Sequence, residues 1–213
     1  MQFAQRASWQ VRSDIPEELQ FGGVVGEQAG FSLAPDQSPR DPTEDAWRAW
    51  WDRLLTQTFD VHMVQVTQEI PATSPAEHQA RLLEAARRAR QGFGPPDFPE
   101  LTHTPDLQQL CQREWPLFQR SWGIVGGQKS VLVGAMQEQL QRVRLDRLVR
   151  ACAAEARKSE AAPFVLRVDF VRWPQDYQHR VSQRHLVLGA RYLEAAHVNR
   201  LQAILHATIM PLV

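Results

Sequence analysis

The sequence predicts a single α+β domain, dominated by helices, with a small, mainly antiparallel sheet that includes a C-terminal β-hairpin followed by a closing helix. Helices are indicated because three segments begin with a capping side chain followed by proline. Strands are indicated because apolar and polar side chains alternate over residues 164–171, and a second extended segment follows at 185–192. The length of 213 residues suits one domain, which we assign to residues 1–213.

The first predicted helix runs from about Pro42 to Thr58, with Asp41 as its cap. Three tryptophans on its apolar stripe could stack on a ligand, but we favour a core role because tryptophan carries a large apolar surface that is costly to leave in water. Before this helix, residues 9–11 and the flanks of the glycines within 22–26 are expected to be extended. The stripe consists of Trp47, Trp50, Trp51, Leu54 and Leu55.

Two further helices show the same start signal. One is predicted over about residues 75–91, capped by Ser74. The other begins at Pro105 and is expected to end or kink near Trp115, because Pro116 has no amide hydrogen and disrupts a helix interior.

In the segment from Ser130 to Lys158, the apolar residues move from one side of the predicted helix to the opposite side. A stripe centred on Met136 is followed by a stripe around Leu148 on the opposite side of the same helical projection. Either the chain breaks within 142–146, or one helix passes between two partners and buries opposite sides in succession. Because no glycine or proline lies at the reversal, we favour the continuous helix.

The C-terminal part is predicted to contain the sheet and a last helix. The strand over 164–171 ends before Pro174, the strand over 185–192 pairs with it, and the closing helix begins at about Glu194. The apolar periodicity of all segments predicts a core. Its members are Trp47, Trp51, Leu54, Leu132, Leu140, Leu148, Leu166, Val168, Leu188, Leu201 and Leu205.

Charges sum to zero over the chain but are unevenly distributed. Residues 1–60 contain 5 basic and 10 acidic side chains, whereas residues 111–213 contain 15 basic and 8 acidic ones. The two parts can complement each other inside the fold, or the basic part can face an anionic partner. We favour internal complementarity, because it leaves a neutral total.

Motifs for common cofactors and metals are missing from the sequence. The glycine-rich segment 123–130 has Gln128 where a phosphate-binding loop needs glycine, so we interpret it as a turn before a helix. The backbone N–H groups at the start of that helix could still bind a simple anion. The histidines and the two cysteines, Cys111 and Cys152, lack metal-ligand spacing. We therefore predict no metal and no cofactor.

The cellular context is expected to be cytoplasmic. The two cysteines are interpreted as buried, reduced thiols. The N-terminus lacks the apolar region of a secretory signal, and no apolar run is long enough to span a bilayer. A membrane partner is therefore not expected.

The densest polar chemistry lies between the two predicted C-terminal strands. Arg180, Arg184 and His185 are candidates there for binding an anion or a substrate, and His185 could act as an acid or a base. The simpler interpretation, which we favour, is a solvated connection whose charges pair with each other.

A second candidate surface lies on the Leu148 half of the long helical segment. Arg144, Arg147 and Arg150, which we call the arginine face, recur every three residues opposite the apolar stripe. They either form a site for an interaction partner or pair with acids of residues 1–60.

Three functions are consistent with these features. We favour a non-enzymatic protein-interaction or regulatory role, with a partner protein of acidic or mixed surface. The first alternative is nucleic-acid binding by the basic C-terminal half, although nucleic-acid-binding domains usually carry a strong net positive charge. The second is a hydrolase or transferase with a site at the connection between the C-terminal strands.

Overall fold

The computed structural model describes residues 9–33, 41–67, 93–122, 127–158 and 163–213 and the isolated residues 80 and 84, with side chains of the second range described as far as residue 57. The helix predicted over 75–91 lies outside these ranges except for those two residues, which are helical. Short 3-10 turns occur at Pro99–Leu101, Ala190–Leu193 and Ala195–His197. The longer elements are, in chain order, β1 (Trp9–Asp14), α1 (Glu17–Ala29), α2 (Pro42–Thr67), α3 (Pro105–Trp122), α4 (Gln128–Val143), α5 (Leu145–Glu155), β2 (Phe164–Val171), β3 (Gln178–Ser182), β4 (His185–Gly189) and α6 (Val198–Ile209).

The predicted α+β class is confirmed, with a four-stranded sheet in the order β1-β2-β4-β3 and a C-terminal hairpin followed by the closing helix α6. The sheet is mixed rather than mainly antiparallel, because β2 pairs in parallel with both β1 and β4. The antiparallel pair is β3–β4, so the hairpin does not join the two strands that the sequence indicated. The reason is that the connection after β2 contains a further strand, β3, which reverses the chain before β4 begins.

The two predicted C-terminal strands are present. β2 has the predicted bounds, whereas β4 ends at Gly189 instead of continuing to residue 192. A Cβ atom at Gly189 would overlap the carbonyl groups of Pro174 and Gln175, and the Gly189 amide donates to the Tyr177 carbonyl oxygen at 2.7 Å. The close approach of this preceding loop explains why the strand ends here.

Helix α1 corrects the expectation of extended backbone around its glycines. Glycine lowers helix propensity, but here it allows α1 and α2 to approach closely. A Cβ atom at Gly22 would lie 2.9 Å from Leu54 Cδ1, and a Cβ atom at Gly26 would overlap the Trp47 ring. Packing against the tryptophan stripe therefore overrides local propensity.

Two helices extend further than predicted. α2 continues to Thr67 instead of ending near residue 58. α3 continues past Pro116 to Trp122 instead of ending or kinking near Trp115. Phe118 and Trp122 on the far side of the proline are both buried, so the packing of the second half of α3 outweighs the lost backbone hydrogen bond.

The favoured continuous helix over 130–158 is wrong, and the chain breaks at Arg144. This residue adopts a left-handed conformation with φ 53°, which ends α4 and starts α5. The conformation costs about 1–2 kcal/mol for a residue with a Cβ atom. Redirecting the chain lets α4 bury Met136 while α5 buries Leu148, and burial of these two faces exceeds that cost.

The predicted core is confirmed in nearly all of its members. Leu132 and Leu140 are half-buried and pack against the core, and the other predicted core residues are buried. α1, α2 and α3 meet around Phe21, whose ring contacts those of Trp50 and Trp115 at centroid distances of 6.2 and 5.0 Å. The tryptophan stripe of α2 is part of this core, as the sequence predicted.

Candidate functional site

The structure places the arginine face on one exposed side of α5 and its start. Arg144, Arg147 and Arg150 are all exposed. Arg147 and Arg150 are three residues apart within α5, so they lie on the same side of the helix, about 4.5 Å apart along its axis. Arg144 is the left-handed residue immediately before α5, so helical spacing does not fix the direction of its side chain.

The opposite side of α5 is anchored in the protein. Leu148, Val149, Cys152 and Ala153 are buried there. At the end of the helix, Glu155 Oε2 lies 2.9 Å from His206 Nε2 on α6. Because burial fixes the rotation of α5 about its axis, the arginine face is held outward.

Acids near the arginine face do not neutralise it. In residues 9–33, 41–57 and the other ranges with described side chains, no carboxylate lies within ion-pair distance of Arg144, Arg147 or Arg150. Asp146 is exposed on the same helix but makes no ion pair with Arg150, four residues later.

Other arginines of the basic half do meet acids of the N-terminal part. The guanidinium of Arg167 lies 3.7 Å from an Asp14 carboxylate oxygen, and that of Arg172 lies 3.6 Å from Glu27. Glu44 instead pairs with Arg48 on its own helix at 2.9 Å. Complementarity between the two halves therefore operates through β2 and the residue after it rather than through the arginine face.

Arg180 and Arg184, the two arginines of the β3–β4 hairpin, make different contacts. Arg180 is exposed and its guanidinium donates to Thr208 Oγ1 on α6 at 3.0 Å. Arg184 is exposed in the β3–β4 turn, where its backbone N–H donates to Ser182 Oγ and its carbonyl accepts from the Arg167 N–H. α6 contacts this hairpin through Thr208 and α5 through His206. It therefore connects the hairpin that carries Arg180 with the helix that carries the arginine face.

His185 lies inside the protein rather than on a solvated connection. His185 and Asp169 are both 0% exposed, and His185 Nε2 is 2.8 Å from Asp169 Oδ2. The Arg167 Nε–H group lies between the two oxygens of Asp169, at 2.7 and 2.8 Å. We call Arg167, Asp169 and His185 the buried network. The imidazole does not reach solvent, and the hypothesis that His185 acts as an acid or a base stays a prediction.

Sequence reasoning missed Arg167 as part of this network. Residues 164–171 alternate, which suggested that Arg167 and Asp169 face water. The structure shows that β2 is a central strand with β1 on one side and β4 on the other, and both of its faces are buried. Val171 was the available signal. It lies on the same face of β2 as Arg167 and Asp169, and an apolar residue on that face is typical of a strand that is buried on both faces.

A cavity of about 380 Å³ was also missed by sequence reasoning. Its lining comprises Glu17, Glu18, Phe93, Gly94, Pro95 and Trp115. These residues come from the start of α1, the segment before α3 and α3 itself, so no local pattern connects them. Burial raises the pKa of the Glu18 carboxyl group above 4.5, and the neighbouring Glu17 raises it further.

Two described polar side chains at the start of α4 make hydrogen bonds within the protein. Residues 123–126 lie outside the described ranges, and α4 begins at Gln128. Gln128 Oε1 accepts a hydrogen bond from Arg172 at 2.7 Å, and Ser130 Oγ donates to the Gly127 carbonyl at 2.9 Å. The polar side chains at this helix start are thus used within the protein.

The two cysteines are core residues. Both cysteines are buried and unpaired, as predicted, and burial raises the pKa of the Cys111 thiol far above its ordinary value. In the part of the chain that the structure describes, no cluster of histidine, cysteine and acidic side chains is arranged to hold a metal ion. Every helix in that part is too short or too polar to cross a lipid bilayer.

Comparison with known proteins leaves the function to be inferred from this geometry. Neither the scan against protein-family models nor the searches of curated proteins and of solved structures returned a match to this chain.

Proposed function

We propose that this chain is a non-enzymatic interaction or regulatory protein that binds an acidic surface of a partner protein through the arginine face. One observation carries the proposal. Arg144, Arg147 and Arg150 are exposed without a counter-charge among the described residues, whereas Arg167 and Arg172 of the same basic half are paired. A row of uncompensated guanidinium groups attracts carboxylates.

The local surface suits contact with a protein. Arginine binds carboxylates through two parallel hydrogen bonds and is enriched in protein interfaces. Ala151 and Ala154, the small exposed residues of α5, leave room for a partner backbone to approach. The anchored opposite side of the helix presents the guanidinium groups at a fixed spacing, which lowers the entropy lost on binding.

A cytoplasmic location forms part of the same proposal. Cys111 and Cys152 are unpaired thiols in the core, and proteins of reducing compartments keep such thiols.

The test is affinity capture from an extract of the source cells with three immobilised proteins. These are the wild type, an R144Q/R147Q/R150Q variant, and a control R53Q/R120Q/K129Q variant that loses the same charge from exposed positions elsewhere. We expect an acidic protein to be retained by the wild type and the control but not by the arginine-face variant. Stability of the arginine-face variant should stay within about 0.5 kcal/mol of the wild type, because the changes are on the surface.

Three results would reject the proposal. Equal retention by both variants would show that the arginine face is a solvated surface. Retention that disappears after nuclease treatment, with a steep dependence on salt, would support the nucleic-acid alternative instead. A loss of stability in the arginine-face variant would place these side chains in the internal structure.

A further inference from the structure

The cavity beside the start of α1 is lined by two kinds of side chain, acidic and aromatic. Glu17 and Glu18 contribute carboxylates, and Phe93 and Trp115 contribute aromatic rings. None of these residues belongs to the arginine face or to α5, so the cavity is a separate surface of the molecule.

The two rings form a rigid corner. Their centroids are 5.5 Å apart and their planes are inclined at 77°. Phe93 is 8% and Trp115 6% exposed, so each ring is largely held in the core and shows a small part of its surface at the cavity. Both rings also contact Phe21, at 5.8 and 5.0 Å between centroids. The corner is therefore formed before any ligand arrives.

The electrostatic field at the cavity is negative. Burial raises the pKa of Glu18, and the charges of Glu17 and Asp14 add to that effect. A backbone hydrogen bond at Glu18 lowers the pKa of this carboxyl group, and the charge of Arg167, whose guanidinium already binds Asp169, lowers it by less. A poorly hydrated carboxylate of this kind gains most from a cation that replaces its lost water.

We propose that this cavity binds an organic ammonium group, held against the Phe93–Trp115 corner with its charge facing Glu17 and Glu18. Aromatic faces attract cations through their quadrupole, and quaternary ammonium groups are the cations most often recognised in this way. Carboxylates alone would favour a hard metal ion, and aromatic rings alone would favour a neutral apolar ligand. The combination favours a cation that has an apolar surface.

Acids in the first turn of α1 also offset the helix dipole. That role needs carboxylates near the helix start, but it does not need a cavity lined by aromatic rings beside them. The dipole therefore accounts for the acids but not for their position at such a cavity.

The first test compares choline chloride with 3,3-dimethylbutan-1-ol, which has the same shape without the charge. Titration by calorimetry, with ligand-observed NMR for weak binding, is expected to show saturable binding of choline. Binding of the alcohol should be about tenfold weaker or more, since cation–π attraction and a carboxylate act on the charge alone. Calcium chloride serves as a probe for a site made by the acids only.

Variants of α1 test the role of the carboxylates. Glu18→Gln keeps the shape of the side chain and should weaken choline binding about tenfold, because it removes a charged partner. Glu27→Gln, an exposed change on the same helix outside the cavity, should leave choline binding unchanged. Thermal unfolding of both variants would show that each remains folded.

Several results would overturn the proposal. These are equal binding of choline and its neutral analogue, binding of calcium without choline, and unchanged choline affinity in Glu18→Gln. The R144Q/R147Q/R150Q variant should bind choline as the wild type does, which keeps this test independent of the proposed protein interaction.

The ammonium group can come from a free small molecule or from a lysine side chain of a partner. Peptides containing one lysine or one trimethyllysine distinguish the sources. Binding of either peptide more tightly than choline indicates a partner side chain, and equal or weaker binding of the peptides indicates a small molecule. Absence of binding by choline and by both peptides rejects the site.

Discussion

The arginine face and the buried network contain the same kind of side chain in opposite circumstances. Arg167 is 7% exposed and its guanidinium binds Asp169, which His185 also contacts. Arg147 and Arg150 are exposed on α5 without a described acid in range. An arginine can be buried only with a counter-charge, whereas an arginine on the surface needs none. The surplus of positive charge in the C-terminal half is therefore left for the surface.

The difference originates in the position of the two elements. β2 has strands on both sides, so each polar group that it carries must find its partner inside the protein. α5 lies at the periphery and buries one side, so its other side is free to carry charge. The predictions below alter one region at a time, from the largest expected effect to the smallest.

Replacing Asp169 with asparagine should cause the largest loss of stability. The change leaves the buried guanidinium of Arg167 with only the exposed Asp14 carboxylate, at 3.7 Å, as a negative partner. Breaking a buried ion pair in this way costs about 3–5 kcal/mol. Urea unfolding measures the loss. The control is Asp176→Asn, which breaks the exposed Asp176–Arg191 pair and should cost less than about 1 kcal/mol. Equal effects of the two changes would contradict the contrast between buried and exposed charge.

Replacing Leu148 with alanine tests whether burial anchors α5. Leu148 is 4% exposed, and removal of such a buried side chain costs about 2–5 kcal/mol. The same urea unfolding experiment applies. A change within about 0.5 kcal/mol would mean that this side of α5 faces water, and the outward orientation of the arginine face would then be wrong.

Replacing Arg144 with glycine should raise stability slightly. Arg144 has φ 53°, a left-handed conformation that glycine adopts without the penalty of a Cβ atom. We expect a gain of about 1 kcal/mol relative to Arg144→Ala, which removes the guanidinium but keeps the Cβ atom. The difference in midpoint between these two variants isolates the backbone effect. Lower stability of the glycine variant would show that Arg144 is not held in this conformation.

Glu100 has buried carboxyl oxygens and can be compared with Asp169, whose carboxylate contacts Arg167 and His185. Its two carboxyl oxygens are buried, and burial raises its pKa above 4.5, although the nearby backbone N–H groups, the charge of Arg53 and the Trp50 side chain partly offset that effect. The folded protein therefore keeps this proton to a higher pH than the unfolded chain does. Wild-type stability contributed by Glu100 should fall as the pH rises from 4.5 through the raised pKa.

Glu100→Gln removes this titration. We expect its stability relative to the wild type to increase with pH over that window and then to stay constant near neutral pH. Thermal unfolding of both proteins at matched pH values measures the difference. A relative stability that decreases with rising pH would mean that the Glu100 carboxylate is stabilised in the fold.

The candidate site was predictable from the sequence in part. Helical spacing places Arg147 and Arg150 on one side of α5, and the structure shows both exposed, as is Arg144 at the break before the helix. The reversal of the apolar side indicated that the chain could break within 142–146, but the break was not the favoured alternative, because no glycine or proline marks the left-handed residue. His185 appeared to belong to a solvated connection, since nothing local indicates that its strand lies between β2, which is parallel to it, and β3, which is antiparallel to it.

The cavity was beyond any sequence pattern. Glu18 and Trp115 are separated by most of the N-terminal half, and they converge because Phe21 of α1 packs against Trp115 of α3. Only the combined packing of α1, α3 and the segment before α3 creates the enclosed space between them.

The sequence by itself determined the local elements of this protein. Caps and prolines specified where α2 and α3 begin, and apolar periodicity specified most of the core, the strand β2 and the closing helix. These features depend on interactions within a few residues, which a linear pattern records. The tertiary structure alone decided the parallel pairing of β2, the helical state of α1, the break before α5, the burial of Asp169 with His185, and the cavity. Each of these depends on the burial free energy of residues far apart in the chain, and that energy exceeds the local preferences of glycine, proline and arginine.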